Sequence, residues 1–462
     1  MTRTAKAGRI PLRTKILYGA GDIGVALSQT AILSYLLFFY TDVAGLGIGL
    51  AGLVAGIARF WDAIIDPPIG YLSDKTRSRF GRRRVWLAIA AVPLGLCVYL
   101  IFSPPTGLSQ WALFGWMLAT YLVALLFFTM FLTPYYALGA ELSDDPEERT
   151  QIAAIRLMFQ YIGSLAGGSM PLLALSYGEP RQGYSTAAAV FGALAAGAIL
   201  LTFFGTRERE APPAAEASAG NFWSGLRLTV ANRPFRILFL SFIVMSIGAG
   251  LGTSVSIYAL IYWAGFTQAE IGMLFPSILG AAVLALPFWT YCSARVGKDR
   301  TLFILFIYLA VVFSALYLLP PVKPLVWAVM VLQGFGVAGF AVSISLLADV
   351  LDHDELETGE QRGGAFFGLW TFASKFGLGA GPLLAGAALG LAGYVANQPQ
   401  TGQVIEVIRL VFGPVPALFF LAAAIIISRF PLSREAHREI QAELHRRRAA
   451  RLEPGDLATS EQ

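Results

Sequence analysis

Residues 59–68 read Arg-Phe-Trp-Asp-Ala-Ile-Ile-Asp-Pro-Pro, which sets one base and two carboxylates inside an apolar run long enough to cross a bilayer. A charge at membrane depth costs roughly 2.5–3.5 kcal/mol on insertion scales, so such residues persist where they face a polar cavity, pair with one another or hold an ion. Asp62 and Asp66 are four apart, so on a helix they share one face, with Cβ atoms about 5–6 Å apart. Arg59 precedes Asp62 by three on that same face. The set carries one net negative charge, which suits a proton or one monovalent cation. The competing reading is a self-neutralised structural ion pair.

Two other bases stand deep in apolar segments, Arg156 and Lys375. Two close carboxylates in a low dielectric do not both ionise easily, so they hold a proton or a cation. Placed near the cavity, Lys375 and Arg156 would compete with that cation. Its arrival would free a base to bind a substrate, and the two ligands would then favour each other reciprocally. The alternative for Lys375 is snorkelling to an interface. Trp61, Tyr136 and Trp370 are the aromatics beside these charges, with Thr371 next to Trp370.

The elements that must hold these residues are helices. The chain has 462 residues, 56% hydrophobic and 14% charged, against about 25% charged in a soluble domain. A helical span needs about 20 apolar residues. Such runs fall at roughly 14–42, 46–73, 85–104, 109–140, 150–177, 185–205, 234–264, 268–293, 301–320, 323–350, 363–394 and 404–430. Strand-type alternation is absent, which argues against a membrane barrel. The expectation is an all-α polytopic membrane protein of twelve transmembrane helices in two six-helix halves. Residues 1–205 form the first bundle, 206–233 a cytoplasmic linker containing Ala-Pro-Pro-Ala-Ala-Glu-Ala-Ser-Ala-Gly, 234–431 the second bundle and 432–462 a cytoplasmic tail.

The halves echo each other. Ala137-Leu138-Gly139-Ala140-Glu141-Leu142-Ser143-Asp144-Asp145 ends the fourth span, and Leu346-Leu347-Ala348-Asp349-Val350-Leu351-Asp352-His353-Asp354 ends the tenth. Pro-Leu-Leu recurs at 171–173 and 382–384 in the spans that follow, as a duplicated six-helix unit would require. The tail from Leu432 to Arg451 reads as a basic amphipathic helix for the headgroup surface, or as a frayed end.

Net charge is +5, and its placement follows topology. Lys and Arg gather before the first span, in the loop Lys75–Arg84, around the linker, at Arg295, Lys298 and Arg300, and in the tail, leaving little beyond Arg181 and Lys323 on the other side. Both termini are therefore expected in the cytoplasm of a plasma (bacterial inner) membrane protein. The same pattern accounts for the basic balance without nucleic acid. Cys97 and Cys292 lie in apolar segments and offer no disulfide framework, while His353, His437 and His445 form no zinc pattern. The first 14 residues are basic and polar with no cleavable apolar core, so the first span should serve as the insertion signal. No nucleophile–base pair, metal set or phosphate loop suggests an enzyme, and no cofactor is expected beyond a coupling ion, H+ or Na+. Asp62 and Asp66 would be metal ligands only for Na+.

The loop after the second span reads Gly70-Tyr71-Leu72-Ser73-Asp74-Lys75-Thr76-Arg77-Ser78-Arg79-Phe80-Gly81-Arg82-Arg83-Arg84, with a weaker copy at Arg295-Val296-Gly297-Lys298-Asp299-Arg300. This Gly-x-x-x-Asp…Gly-Arg-Arg pattern resembles the major facilitator superfamily. The Trp61-Asp62-Ala63…Asp66-Pro67 element, with Tyr18-Gly19-Ala20-Gly21-Asp22, Tyr40-Thr41-Asp42-Val43, Thr133-Pro134-Tyr135-Tyr136, Glu147-Glu148-Arg149 through Arg156, and Asp349-Val350-Leu351-Asp352, is similar to the glycoside–pentoside–hexuronide:cation symporters.

That resemblance implies that Asp62, Asp66 and Thr129 form the cation site and that Arg156 and Lys375 serve substrate binding and charge balance. It puts Tyr136 where relatives have an aromatic sugar platform. Trp370 and Thr371 are expected as cavity walls. Arg59, Asp74, Arg82, Arg83, Glu141, Arg149, Asp349, Asp352 and Arg362 are expected in a charge network and gates, with Asp349 and Asp352 latched to Arg362. Asp42 reads as a helix-end charge only. The sugar-contacting aspartates of melibiose permease correspond to Ala26 and Leu132 here, and an apolar side chain accepts no hydroxyl hydrogen bond. Ile65 stands where sodium-using relatives often carry a polar group, which tilts towards protons. Pro67 and Pro68 lack N–H groups, so a helix running through them frees the carbonyls of Ala63 and Ile64 as possible ligands.

The expected function is cation-coupled symport of a sugar, glycoside or related organic solute by alternating access, working as a monomer in the bilayer. A lysophospholipid:cation symporter of the same fold is the alternative. A non-transporting membrane sensor is a third reading.

Overall fold

The computed structural model describes residues 10–143, 145–208, 229–359, 363–432 and 434–452. The first six long helices are α1 (Leu12–Val43), α2 (Ile48–Lys75), α3 (Arg84–Ile101), α4 (Gln110–Glu141), α5 (Pro146–Gly168) and α6 (Pro180–Gly205). The second six are α7 (Arg233–Trp263), α8 (Gln268–Val296), α9 (Lys298–Leu318), α10 (Lys323–Thr358), α11 (Gly363–Leu391) and α12 (Gly402–Ile427), and α13 (Arg434–Leu452) follows in the tail. Helices satisfy every backbone group internally, which a hydrocarbon solvent demands. Eleven of these are apolar and long enough to cross a membrane. The twelfth, α5, falls short because Glu147, Glu148, Arg149, Gln151, Arg156 and Gln160 interrupt it. Most of the 206–233 segment lies outside the described residues.

Side chains close the helix starts: Ser109 accepts from the Ala112 N–H, Asn232 from that of Phe235, and Thr267 and Glu270 form a capping box. In the first half α1 packs on α5 and α6, and α3 on α6; in the second, α7 packs on α11 and α12, and α9 on α12.

Between the halves the principal contact is α2 against α11. It is tightest on the side away from the start of α1, termed here the far side. A Cβ on Gly52 would lie 2.7 Å from the Pro382 carbonyl oxygen, and one on Gly386 would lie 2.8 Å from that of Ile48. The two backbones therefore touch, as glycine allows. Towards the near side this contact gives way to two cavities. One of about 370 Å³ is lined by Asp66, Pro67, Phe367, Thr371, Phe372 and Lys375. The other, about 500 Å³, includes Phe242, Phe340, Trp370, Thr371, Lys375 and Leu378.

The far ends of α1 and α7 are built alike. Each finishes in a π-helical turn, Phe39–Val43 and Ala259–Trp263. In both, the N–H after the turn returns to its first carbonyl (Ala44 to Phe39, Ala264 to Ala259), and a glycine with positive φ follows, Gly45 at 84° and Gly265 at 70°. Asp42 from the first half is buried there among residues of the second. Its carboxylate accepts from the hydroxyls of Thr41 (2.6 Å), Tyr394 (2.7 Å) and Tyr262, and its backbone oxygen accepts from the Asn397 amide. Thr41 Oγ1 is also 2.8 Å from the Tyr258 hydroxyl. The sequence reading of Asp42 as a mere helix-end charge is thereby corrected: it ties the two halves together.

Candidate functional site

The helix α2 runs through Pro67 and Pro68 without a break, so Asp62 and Asp66 stay one turn apart on one face. Asp62 is buried and Asp66 is partly open, with 10% and 32% of their side chains exposed. Between them sits the Lys375 ammonium from α11, 3.0 Å from Asp62 Oδ2 and 2.6 Å from Asp66 Oδ2. Lys375 Nζ also donates to the Asp62 carbonyl oxygen at 3.2 Å. Lys375 therefore reaches inward and does not snorkel. Thr129 on α4 donates to Asp66 Oδ1 at 3.1 Å. Arg59 approaches Asp62 Oδ2 only to 4.0 Å. Its stem packs on the α11 backbone, where a Cβ on Gly379 would lie 2.4 Å from Arg59 Cβ. The Trp61 indole donates outward to the Leu122 carbonyl at 3.1 Å, tying α2 to α4.

An ammonium held by two carboxylates and a carbonyl shows that this set of oxygens accommodates one positive charge. The same oxygens, with the Thr129 hydroxyl turned to accept, could hold a small monovalent ion or a proton once Lys375 leaves. Among the described residues no group of three or more His, Cys, Asp or Glu could bind a metal ion.

Arg156 is elsewhere. The sequence reading had it compete for the same aspartates as Lys375; the structure pairs it with Asp22 on α1, Nε to Oδ2 3.2 Å. Its guanidinium lies over the Tyr136 ring, 4.5 Å from the centroid. Asp22 also accepts from the Tyr135 hydroxyl at 3.3 Å, and Tyr135 stacks on Tyr18 and Phe131. Asp22 is the candidate site residue that sequence reasoning passed over as part of a signature. The usable signal was present: a carboxylate about 15 Å into an apolar helix, as costly there as those of α2. Trp370 is buried against Phe242, ring centroids 3.8 Å apart, and with Thr371 lines the larger cavity.

The remaining charges lie at the near side. Arg82 and Arg83 reach Glu141 at 2.7 and 2.8 Å, which fastens the α2–α3 loop to the end of α4. Glu208 accepts from the Arg83 backbone N–H at 3.0 Å. Arg149 Nε donates to the Ser143 carbonyl at 2.6 Å. The Asp74 side chain and Arg362 lie outside the described residues. The expected latch of Asp349 and Asp352 to Arg362 falls outside the described residues; among those described, Asp349 meets Lys298 at 2.5 Å, and His437 of α13 lies 3.4 Å from Asp349 and 3.1 Å from Asp352. These aspartates join α9, α10 and the tail helix, which docks by Ile440 and Leu444, both buried.

The family model described as MFS/sugar transport protein matches residues 17–434 of this chain. The chain belongs to that family. It is a multi-pass membrane transporter of the glycoside–pentoside–hexuronide:cation branch of the major facilitator superfamily, and not an enzyme. The chain is similar to the putative glycoside/cation symporter YagG of Escherichia coli (strain K12), 29% identical with 98% of this chain and 99% of the relative covered. It is also similar to the sodium-dependent lysophosphatidylcholine symporter 1-B of Danio rerio, 24% identical over 92% and 88%. Among solved structures, a bacterial homologue of the human lysosomal transporter Spinster, inward-facing and unoccupied, superposes with TM-score 0.70 at 15% identity, covering 94% of this chain and 99% of that one. That likeness concerns the fold alone.

Proposed function

We propose that this transporter is a cation-coupled symporter whose ion binds between Asp62 and Asp66 and whose organic substrate, a sugar or glycoside, binds in the cavities beneath. The observation that carries the reading is Lys375 seated between the two carboxylates. In the ion-free carrier the ammonium fills the site. An incoming cation takes its place and releases Lys375 into the cavities, both of which it lines. Substrate then finds a base that was unavailable before. The two bindings help each other by the same free energy.

The basic residues at the near side put both termini in the cytoplasm of the plasma membrane under the positive-inside rule. The cavities then open inward while Asp42 and the Gly52–Gly386 contact close the outside. Ile65 brings no oxygen to the site, and sodium needs several, so a proton is the favoured coupling ion.

A lysolipid is the second reading. Phe242, Phe340, Ile344, Trp370 and Leu378 make one cavity wall apolar, and a relative carries that substrate in its name. Uptake into proteoliposomes under imposed proton or sodium gradients, with labelled glycosides and lysolipids, tests both readings. Asp62→Asn and Asp66→Asn should abolish gradient-driven accumulation. Full accumulation by both variants would overturn the site.

A further inference from the structure

We infer that the near side of the second half carries a second ligand site, for a phosphate monoester, in the cavity between the tail helix and the α8–α9 junction. The site lies apart from the transport cavities. It borrows from the reading above only that the near side is cytoplasmic.

The cavity measures about 410 Å³, a size that suits a small solute. One wall is the first two turns of α13, where Arg434, Arg438 and Gln441 stand on one helix face. The facing wall is the end of α8, with Thr290, Ser293 and Ala294, and Lys298, Asp299 and Asp349 complete the lining. Asp349 is already engaged, by Lys298 at 2.5 Å and by His437 at 3.4 Å. Asp299 turns back over its own helix start, with Oδ1 2.9 Å from where a Cβ on Gly297 would lie. The two arginines are less committed. Arg434 gives one nitrogen to the Arg295 carbonyl at 3.3 Å, and Arg438 has no hydrogen bond or ion pair among the described residues.

Lys298, Arg434 and Arg438 therefore stand against Asp299 and Asp349, an excess of one positive charge before His437 is counted. Guanidiniums one helical turn apart offer two separate nitrogen edges. A carboxylate has two oxygens and one charge, which a single edge satisfies. A phosphate monoester has three terminal oxygens and up to about two charges, so it engages both edges at once.

The helix repeat places the mouth of the cavity. Thr290, Ser293 and Ala294 lie eighteen residues, about five full turns, beyond Gly272, Phe275 and Pro276. Those earlier residues face the first half. A Cβ on Gly272 would lie 2.7 Å from Leu172 Cγ, and one on Gly168 would lie 3.4 Å from Phe275 Cβ and 3.8 Å from Pro276 Cδ. The cavity therefore opens into the gap between the halves, on the side where they are parted, and water-borne solutes reach it there. The ligand is a cytosolic phosphate ester or a phosphomonoester headgroup of the inner leaflet.

Calorimetric titration of the full-length protein in phosphatidylcholine nanodiscs tests this, with glycerol 3-phosphate, glycerate and glycerol as probes. Glycerol 3-phosphate should bind about tenfold or more tightly than glycerate, and glycerol should not bind. The double variant Arg434→Gln/Arg438→Gln should weaken glycerol 3-phosphate by about tenfold or more; both residues are exposed, so folding is not at stake. Arg446→Gln removes a charge from the same helix outside the cavity, at a side chain 79% exposed, and should leave binding unchanged. Discs containing phosphatidic acid, against discs with an equal share of phosphatidylglycerol, identify the source. Glycerol 3-phosphate binding lost only with phosphatidic acid means that the lipid headgroup occupies the site, and binding retained in both means a soluble ester. No binding of glycerol 3-phosphate in phosphatidylcholine discs, equal binding of glycerate, an unchanged affinity in the double variant, or an equal loss in Arg446→Gln would overturn the inference.

Discussion

Asp42 and Tyr262 are the fourth residues of two matching π-helical turns, one ending α1 and the other ending α7, and they are hydrogen-bonded to each other. A duplicated unit places equivalent positions face to face across its pseudo-symmetry axis. Here one copy carries an acid and the other a phenol, so the axis is closed by a complementary pair. Tyr394 and Thr41 complete the set of donors around that acid. Opening the far side must break the bonds that Tyr262, Tyr394 and Asn397 make to Asp42 across the halves.

Removing one of them should move the resting equilibrium towards the outward-open form. A hydrogen bond to a charged group is worth about 1.5–3 kcal/mol, so Tyr394→Phe should shift the population by about tenfold or more. Asp42→Ala should shift it further. Spin labels at Thr106 and Val322, exposed in far-side loops of opposite halves, report the change as a longer distance population. Identical distance distributions in the parent and both variants would show that Asp42 does not govern this gate.

Lys375 acts as a built-in competitor for the cation. Lys375→Ala should raise cation affinity by at least about tenfold, roughly 1.4 kcal/mol or more, because nothing then has to be displaced. The same change should uncouple transport, since ion binding no longer liberates a base for substrate. Calorimetric titration of the coupling ion without substrate, alongside gradient-driven uptake, reads both. A cation affinity that stays put or falls counts against the exchange.

Thr129 has a smaller share. Its one hydrogen bond orients Asp66, and a net contribution of about 1 kcal/mol predicts a roughly fivefold weaker cation site in Thr129→Val. Thr129→Ser should restore it, because the hydroxyl is what matters. An equal loss in both variants would mean that the methyl group, through packing, carries the effect.

Eleven of the twelve helices could be read from the sequence because apolar length alone dictates them; the stretch read at 150–177 is α5, which polar residues interrupt and which ends at Gly168. Asp62, Asp66, Thr129 and Lys375 announced themselves as charge and hydroxyl in hydrocarbon or through resemblance, and the structure brings all four together. Pairings across the bundle were not legible. Nothing local in α5 says whether Arg156 turns to Asp66 or to Asp22, since that depends on how α1 packs on it. Asp42 looked like a terminal charge because its partners lie more than 200 residues away, in the other half. Among the described residues, Asp349 and Asp352 also find Lys298 on α9 and His437 on the tail helix, partners that tertiary packing and not sequence neighbourhood supplies.

The glycine contact between α2 and α11 offers a last and more drastic prediction. With Gly52 and Gly386 the backbones meet, and a side chain at either would strike a carbonyl below 3 Å. Gly386→Val should therefore prevent the far side from closing. Overpacking of about 1–3 kcal/mol corresponds to roughly a five- to hundredfold displacement of the equilibrium. Substrate binding from outside should survive, whereas exchange across the membrane should fall in proportion, because exchange requires both faces to open in turn. Equilibrium binding and counterflow measured on one preparation separate these quantities. Normal counterflow by Gly386→Val would mean that α2 and α11 can seal the far side without touching there, and that the Asp42 cluster alone is sufficient to hold it shut.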